Sequence, residues 1–354
     1  MRPENMQTCQ AIAAKRDPLA QGIVARQYAS QPELALRLGD SGREKCAADV
    51  KRHLDNLSQA IAVGRPALFV DYVAWAKVVL HARNIQAEDL AANLEACYQE
   101  LAELPPNDAV LAQKYVLDGL SCLPSLPQVT PTFLSAERPL AELARHYLDA
   151  LLESDRRQAS KLIMDAVQQG TSIRDLYLHV FQRGQYEVGR LWQMNQISVG
   201  QEHLCTAATQ LIMSQLYPLV FGAARRGRCV VAASVGGNLH EIGVRMVADF
   251  FEMDGWDTYY LGADVPTQSL VQAVLEHKAD ILALSATLLS HISSVTNVIN
   301  AVRANRDCNV RILVGGHPFN VEPDLWRDVG ADGYAADAVR TIDLADHLLQ
   351  MEAV

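Results

Sequence analysis

The spacing of apolar residues changes character along this chain. From residue 10 to about 120 apolar positions recur three and four apart, over 10–29, 32–38 and 43–62, and no strand-like alternation interrupts them. Gly64-Arg-Pro66 breaks the pattern, and a long helix is predicted over 67–83 with Leu68, Tyr72, Trp75 and Val79 on one face. Another follows over 87–104, closed by Pro105-Pro106. Residues 120–131, with Pro124, Pro127 and Pro131, read as a linker. Helical spacing resumes near Arg138: 139–152, 154–169, 172–183 and 203–221 are predicted helices, with a turn or short helix over 186–194. Asp155 and Thr171 or Ser172 are natural caps, and Gly170 ends the helix before it.

Beyond residue 228 the pattern becomes short apolar runs separated by amphipathic segments. Strands are predicted over 230–233, 256–261, 281–284 and 310–314, and helices over 242–253, 267–277 and 293–304. Strand and helix in alternation make a parallel, doubly wound sheet. His240, Ser285, Thr287 and the Gly315-Gly316 pair then fall on the carboxyl rim, the edge at which open α/β sheets bind ligands. Gly236, Gly237 and Gly243 do not form a dinucleotide fingerprint; they leave one imidazole on a loop that a bulky group can approach. The chain therefore divides into a helical domain at 1–125, a four-helix bundle at 126–225 and a flavodoxin-like α/β domain at 226–354. The short basic connection from Phe221 to Val230 predicts that the bundle packs closely on the sheet as a lid over His240.

Composition narrows the function classes. The length of 354 residues suits two or three domains, and 49% hydrophobic residues allow a sizeable core. A net charge of −10 argues against a basic nucleic-acid face. No secretory signal or bilayer-length apolar run is visible, and the seven scattered cysteines form no C-x-x-C, so reduced thiols in a cytoplasmic protein are expected. Hydrolase, zinc-protease and Walker motifs are absent. His291 and His317 lie near the rim without the cysteine or carboxylate spacing of zinc ligands.

Asn238-Leu-His240-Glu-Ile-Gly243, Ser285-Ala-Thr287 and Gly315-Gly316 fall in order on three strand ends. Over about 226–340 this resembles the cobalamin-binding domain of corrinoid carriers and mutases. The resemblance implies that His240 is the lower axial ligand of cobalt and that the displaced benzimidazole tail passes Ser285 and Thr287 to lie on the glycines. The family pattern usually carries a carboxylate where this chain has Asn238; an amide still accepts the imidazole N–H but brings no charge.

Trp192, nine intervening residues, then Glu202-His203 resembles the helical cap of light-sensing adenosylcobalamin proteins. Taken singly, Trp192 suits a bundle core and Glu202-His203 a helix start. The resemblance implies that all three face the upper adenosyl ligand, and it puts Gln193 where those regulators have a second histidine. The first domain, through His53-Leu-Asp-Asn-Leu, the Pro66–Lys77 stretch and Arg83-Asn-Ile85, makes the whole chain similar to the photocobilins, whose globin-like helical domain holds biliverdin. Spacing alone favours reading these as core and surface residues of a helical bundle. The resemblance implies bilin contacts at His53, Tyr72, Trp75, His81 and Arg83, with Arg52 and Lys77 as further cations for the propionates.

The leading expectation is thus a light sensor without enzymatic activity. Photolysis of the cobalt–carbon bond is expected to move the lid and change self-association or binding to an output protein, since no output domain or basic helix-turn-helix is recognisable. The alternative is a corrinoid carrier serving methyltransferases, which uses the same His240. A mutase small subunit is the weaker third reading, because such chains carry no long helical domain in front.

Overall fold

The computed structural model describes residues 3–306 and 308–350. They form two compact units. The first comprises the chain up to Gln128 together with two later segments, Leu288–Ile292 and Val321–Val329. The second comprises Val129–Thr287, Ser293–Asn320 and the chain from Gly330 onward.

The first unit is all-α before residue 128: α1 (Pro3–Ala14), α2 (Arg16–Ser30), α3 (Glu33–Val63), α4 (Pro66–His81), α5 (Ala87–Glu100) and α6 (Pro106–Cys122). The predicted helix over 10–29 is divided at Lys15. Pro18 explains the break, since its ring would meet the carbonyl of Ala14, where α1 ends. Within α3 the predicted helices 32–38 and 43–62 are two helical segments, separated by a break at Gly39, whose φ of 63° and ψ of −169° are not helical. The linker starts later than its prolines suggest: α6 runs to Cys122, a 3₁₀ turn follows at Leu123–Ser125, and the buried Lys77 Nζ donates to the carbonyls of Leu123 (2.8 Å) and Leu126 (2.6 Å). Leu54, Leu57, Ile61, Phe69, Leu94 and Val116 fill the helical core. The Arg65 guanidinium pairs with Asp328 (2.6 Å) and Glu322 (3.4 Å) of the later segment.

The second unit begins with the cap: α7 (Ala141–Leu152), α8 (Arg156–Gln168), α9 (Ile173–Leu176), a π turn (Tyr177–Phe181) leading directly into α10 (Gln182–Gln193), α11 (Val199–Gln215) and α12 (Tyr217–Val220). Asp155 and Ser172 cap their helices by accepting from the amides of Gln158 and Asp175. The break expected between 183 and 186 is absent, because Gly184 packs inside the helix against the ring of Tyr147.

The sheet contains β1 (Cys229–Val235), β2 (Asp257–Val265), β3 (Ile281–Ser285), β4 (Arg311–Gly315) and β5 (Gly333–Tyr334), all parallel in the order β2-β1-β3-β4-β5. This is the flavodoxin-like winding, with its switch point between β1 and β3. The intervening helices are α13 (Ile242–Met253), α14 (Thr267–His277), α15 (Ile292–Ala304), α16 (His317–Val321), α17 (Leu325–Val329) and α18 (Ala338–Gln350). β5 and α16 to α18 are additions to the elements read from the sequence; two strand residues are too few to show a period.

Cap and sheet share one hydrophobic core, in which Tyr147, Tyr177, Phe181, Phe250, Phe251 and Trp256 are all buried. Polar contacts fix the arrangement. Tyr177 Oη donates to the buried Asp249 on α13 (2.8 Å), and Arg245 reaches the Ser214 hydroxyl (2.8 Å) and the Gln210 carbonyl (3.2 Å) on α11. Its guanidinium also lies over the Tyr217 ring.

Candidate functional site on the carboxyl rim

The loop after β1 is held open by its neighbours. Gly237, at φ 86°, turns the chain and donates its amide to the Asp264 carboxylate at the end of β2 (2.6 Å). The Asp264 amide in turn donates to the Asn238 carbonyl (3.0 Å). Asn238 is fully buried, and both ends of its side-chain amide are engaged. Its Nδ2 donates to the Ser285 carbonyl on β3 (3.1 Å), so Oδ1 is the acceptor facing both the backbone amide and Nδ1 of His240 (3.1 Å each). Nδ1 therefore carries the proton, and Nε2 presents its lone pair with no partner among the described residues. Ser234 donates to the His240 carbonyl (2.8 Å), so the ring is oriented from both sides of the loop.

Although His240 stands on the exposed rim, the surrounding protein disfavours its charged form and holds its pKa below the usual histidine value. The carboxylate of Glu202, on the cap, partly opposes this. A neutral imidazole is the form that ligates a metal. The next residue, Glu241, is shared by cap and sheet: Gln210 on α11 donates to Oε1 (2.5 Å) and Tyr260 on β2 to Oε2 (2.9 Å).

The other rim residues form a groove. Ser285 and Thr287 are half-buried at the end of β3, and the Gly315 carbonyl accepts the Ala286 amide (3.0 Å). Gly316 has φ 106°, and a methyl group there would collide with the Ala286 carbonyl, so only glycine keeps this passage open. Gly243 lies in the first turn of α13 with open space where a side chain would stand.

In the cap, Trp192 is half-buried near the end of α10, and the neighbouring Gln193 Oε1 accepts from the Thr130 hydroxyl (3.1 Å). Glu202 and His203 do not open their helix. Ser198 caps α11 through a reciprocal bond with Gln201, placing Glu202 at the end of the first turn, where it accepts from Thr206 (2.9 Å), and His203 just after it. Of the three predicted cap residues, the structure brings Glu202 into electrostatic reach of His240, while His203 is largely exposed and meets Glu202 at 3.4 Å. Sequence reasoning missed Glu241, Tyr260 and Gln210. Glu241, directly after His240, was the one with a local signal.

In the helical unit His53 is buried, its Nδ1 2.7 Å from Tyr72 Oη, and burial pushes its pKa down to about 4. Tyr72 stacks on the partly exposed Trp75. Arg83 donates to the Val79 carbonyl (2.9 Å), and His81 is half-buried in the last turn of α4. Lys77 is committed to the linker carbonyls, which argues against it as a cation for a ligand. His291 is buried and accepts the Leu288 amide, and no cluster of three metal-ligating side chains occurs among the described residues.

An oriented imidazole nitrogen, an open glycine passage and a covering helical cap suit a large ligand with one coordinating metal, and imidazole is an appropriate donor for such an ion. The comparisons agree with that class. Two models, each described as a B12 binding domain, match residues 228–343 and 143–217, so sheet and cap are both B12-binding modules. The chain belongs to the corrinoid proteins. It is 30% identical to dimethylamine corrinoid protein 3 of Methanosarcina mazei over 34% of this chain and 71% of the relative. It is 25% identical to a corrinoid protein of Desulfitobacterium hafniense over 56% of this chain and 94% of the relative. The solved monomethylamine corrinoid protein of Methanosarcina barkeri is 21% identical, with a TM-score of 0.53 over 59% of this chain and 100% of that one, a likeness of fold. No helix among the described residues is long and apolar enough to cross a membrane.

Proposed function

We propose that this chain is a corrinoid carrier that holds cobalamin through His240 and presents the upper face of the cofactor, under the cap, to a methyltransferase partner. The observation that carries the reading is the pinned Nδ1 of His240, which leaves Nε2 as the coordinating atom. Bound cobalamin would supply the methyl-carrying cobalt. The chain's own residues orient the lower ligand, leave room for the tail beside Ser285, Thr287, Gly315 and Gly316, and cover the site with Trp192, Glu202 and His203. The names of the relatives, dimethylamine corrinoid proteins among them, favour a carrier of this kind. The experiment is reconstitution with methyl- and adenosylcobalamin, followed by absorbance and by EPR of the reduced cobalt. A nitrogen splitting from the protein that disappears in His240→Ala supports the reading; tight binding that is unchanged in His240→Ala overturns it.

A second reading, light sensing with adenosylcobalamin and biliverdin, draws on two observations. Glu202 and the half-buried Trp192 suit an upper ligand larger than methyl, and His53, Tyr72 and Trp75 lie together in the first unit, which this reading takes as globin-like. On this reading loss of the upper ligand changes self-association or docking to an output protein. Two measurements separate the readings: green illumination of the adenosylcobalamin-loaded protein followed by size exclusion, and, in the dark, transfer of the methyl group from the methylcobalamin-loaded protein to an added thiolate, which leaves cob(I)alamin. An unchanged elution volume together with that transfer leaves the carrier.

A further inference from the structure

We propose that the recess between the π turn of the cap and the first turn of α18 binds a small organic oxyanion, a carboxylate or phosphate monoester, held by Arg183 and His179. The recess has a volume of about 240 Å³ and is lined by Leu178, His179, Gln182 and Arg183 on one side and by Asp337, Val339 and Arg340 on the other. The side chains of both Arg183 and His179 contain a buried nitrogen without a hydrogen-bond partner, Nη1 and Nδ1 respectively. A buried donor that meets neither protein nor water costs about 1–3 kcal/mol, and a charged one more. Such a cost calls for a compensating group.

The missing charge is negative. No carboxylate pairs with Arg183 among the described residues, and the charged group that acts on it is another cation, Arg138; partial burial and that neighbour both disfavour its charge. The acid in the recess, Asp337, is already engaged, capping α18 through the Arg340 amide (2.9 Å) and facing the Arg340 guanidinium at 3.7 Å. Asp175 stands 3.9 Å from the other nitrogen of His179, so Nδ1 remains available. His179 and Arg183 are four residues apart along one helix and therefore neighbours on its surface, a spacing at which one anion meets both. The π turn, a feature often found at functional sites, contains His179 and ends just before α10 starts. Leu178 and Val339 add an apolar wall, which suits a ligand with a short carbon chain.

The test uses the full chain at constant ionic strength, titrated with inorganic phosphate in one arm and succinate in another. Thermal melting and the His179 side-chain NMR signals are followed in each. The expected result is a saturable rise in melting temperature with movement of the His179 signals in at least one arm. Arg183→Met should weaken that response at least tenfold and, without added anion, melt no lower than the wild type, because a half-buried cation without a carboxylate partner has been removed. No saturable response in either arm overturns the proposal. So does a response retained in Arg183→Met, which would mark an adventitious ion elsewhere. If Arg183→Met fails to fold, the His179 signals of the wild type still decide.

Discussion

Replacing Asn238 by alanine tests whether the rim is built around the orientation of one imidazole. The substitution removes three hydrogen bonds, two accepted from His240 and one donated to the Ser285 carbonyl. At about 1 kcal/mol net for each, the cofactor-free protein should lose about 3 kcal/mol of stability. With Nδ1 unpinned, the ring rotates and both tautomers become populated. Cobalamin affinity should then fall about 10–100-fold, the usual range for losing the partner behind a ligating histidine. Urea unfolding reads the first quantity and titration monitored by cobalamin absorbance the second. Asn238→Asp separates the two effects. The carboxylate accepts from Nδ1 and raises the basicity of the imidazole, but it faces the Ser285 carbonyl without a donor. Affinity should therefore recover while stability does not. Unchanged cobalamin affinity in Asn238→Ala would refute the orienting role, whatever happened to stability.

Three further outcomes are expected. Gly316→Ala should cost at least about 2 kcal/mol and impair cobalamin binding, since a side chain there meets the Ala286 carbonyl at a φ of 106°; melting temperature and titration check both. The pKa of His53 is lowered to about 4, so below about 6.5 the unfolded chain takes up a proton that the folded chain refuses. Stability should fall by about 3 kcal/mol as pH drops through that interval, and His53→Gln should flatten the slope of urea midpoints. Asp249 works in the opposite sense: burial raises its pKa to about 6, so its contribution to stability diminishes as pH rises from about 4 to 6. Asp249→Asn, which can still accept from Tyr177, should stabilise the protein by about 1–3 kcal/mol at pH 8 and very little at pH 4. A loss at pH 8 would mean that attraction to Arg245 outweighs the cost of burying the carboxylate.

Much of this molecule is legible in the one-dimensional pattern because the deciding interactions are local. The apolar runs of β1, β3 and β4 specify buried parallel strands, and the loops after them carry His240, Ser285, Thr287 and the glycine pair to one rim whatever else the chain does. Helical spacing likewise identifies the cap and the N-terminal helices, and Asp155 and Ser172 mark helix starts by satisfying amides only three residues away. Gly39 falls in the gap read between two helices, whereas spacing alone did not show that Pro18 forces a break in the first.

Tertiary structure decided what depends on partners far apart in the chain. Tyr177 and Asp249 are 72 residues apart, Gln210 and Glu241 are 31 apart, and no period connects them; only the shared core of cap and sheet makes them neighbours. The tautomer of His240 likewise required knowing that the Asn238 amide is committed to a carbonyl on another strand. The charge left uncompensated at Arg183 is invisible in a sequence containing more acids than bases, because compensation is a matter of distance and burial rather than of composition.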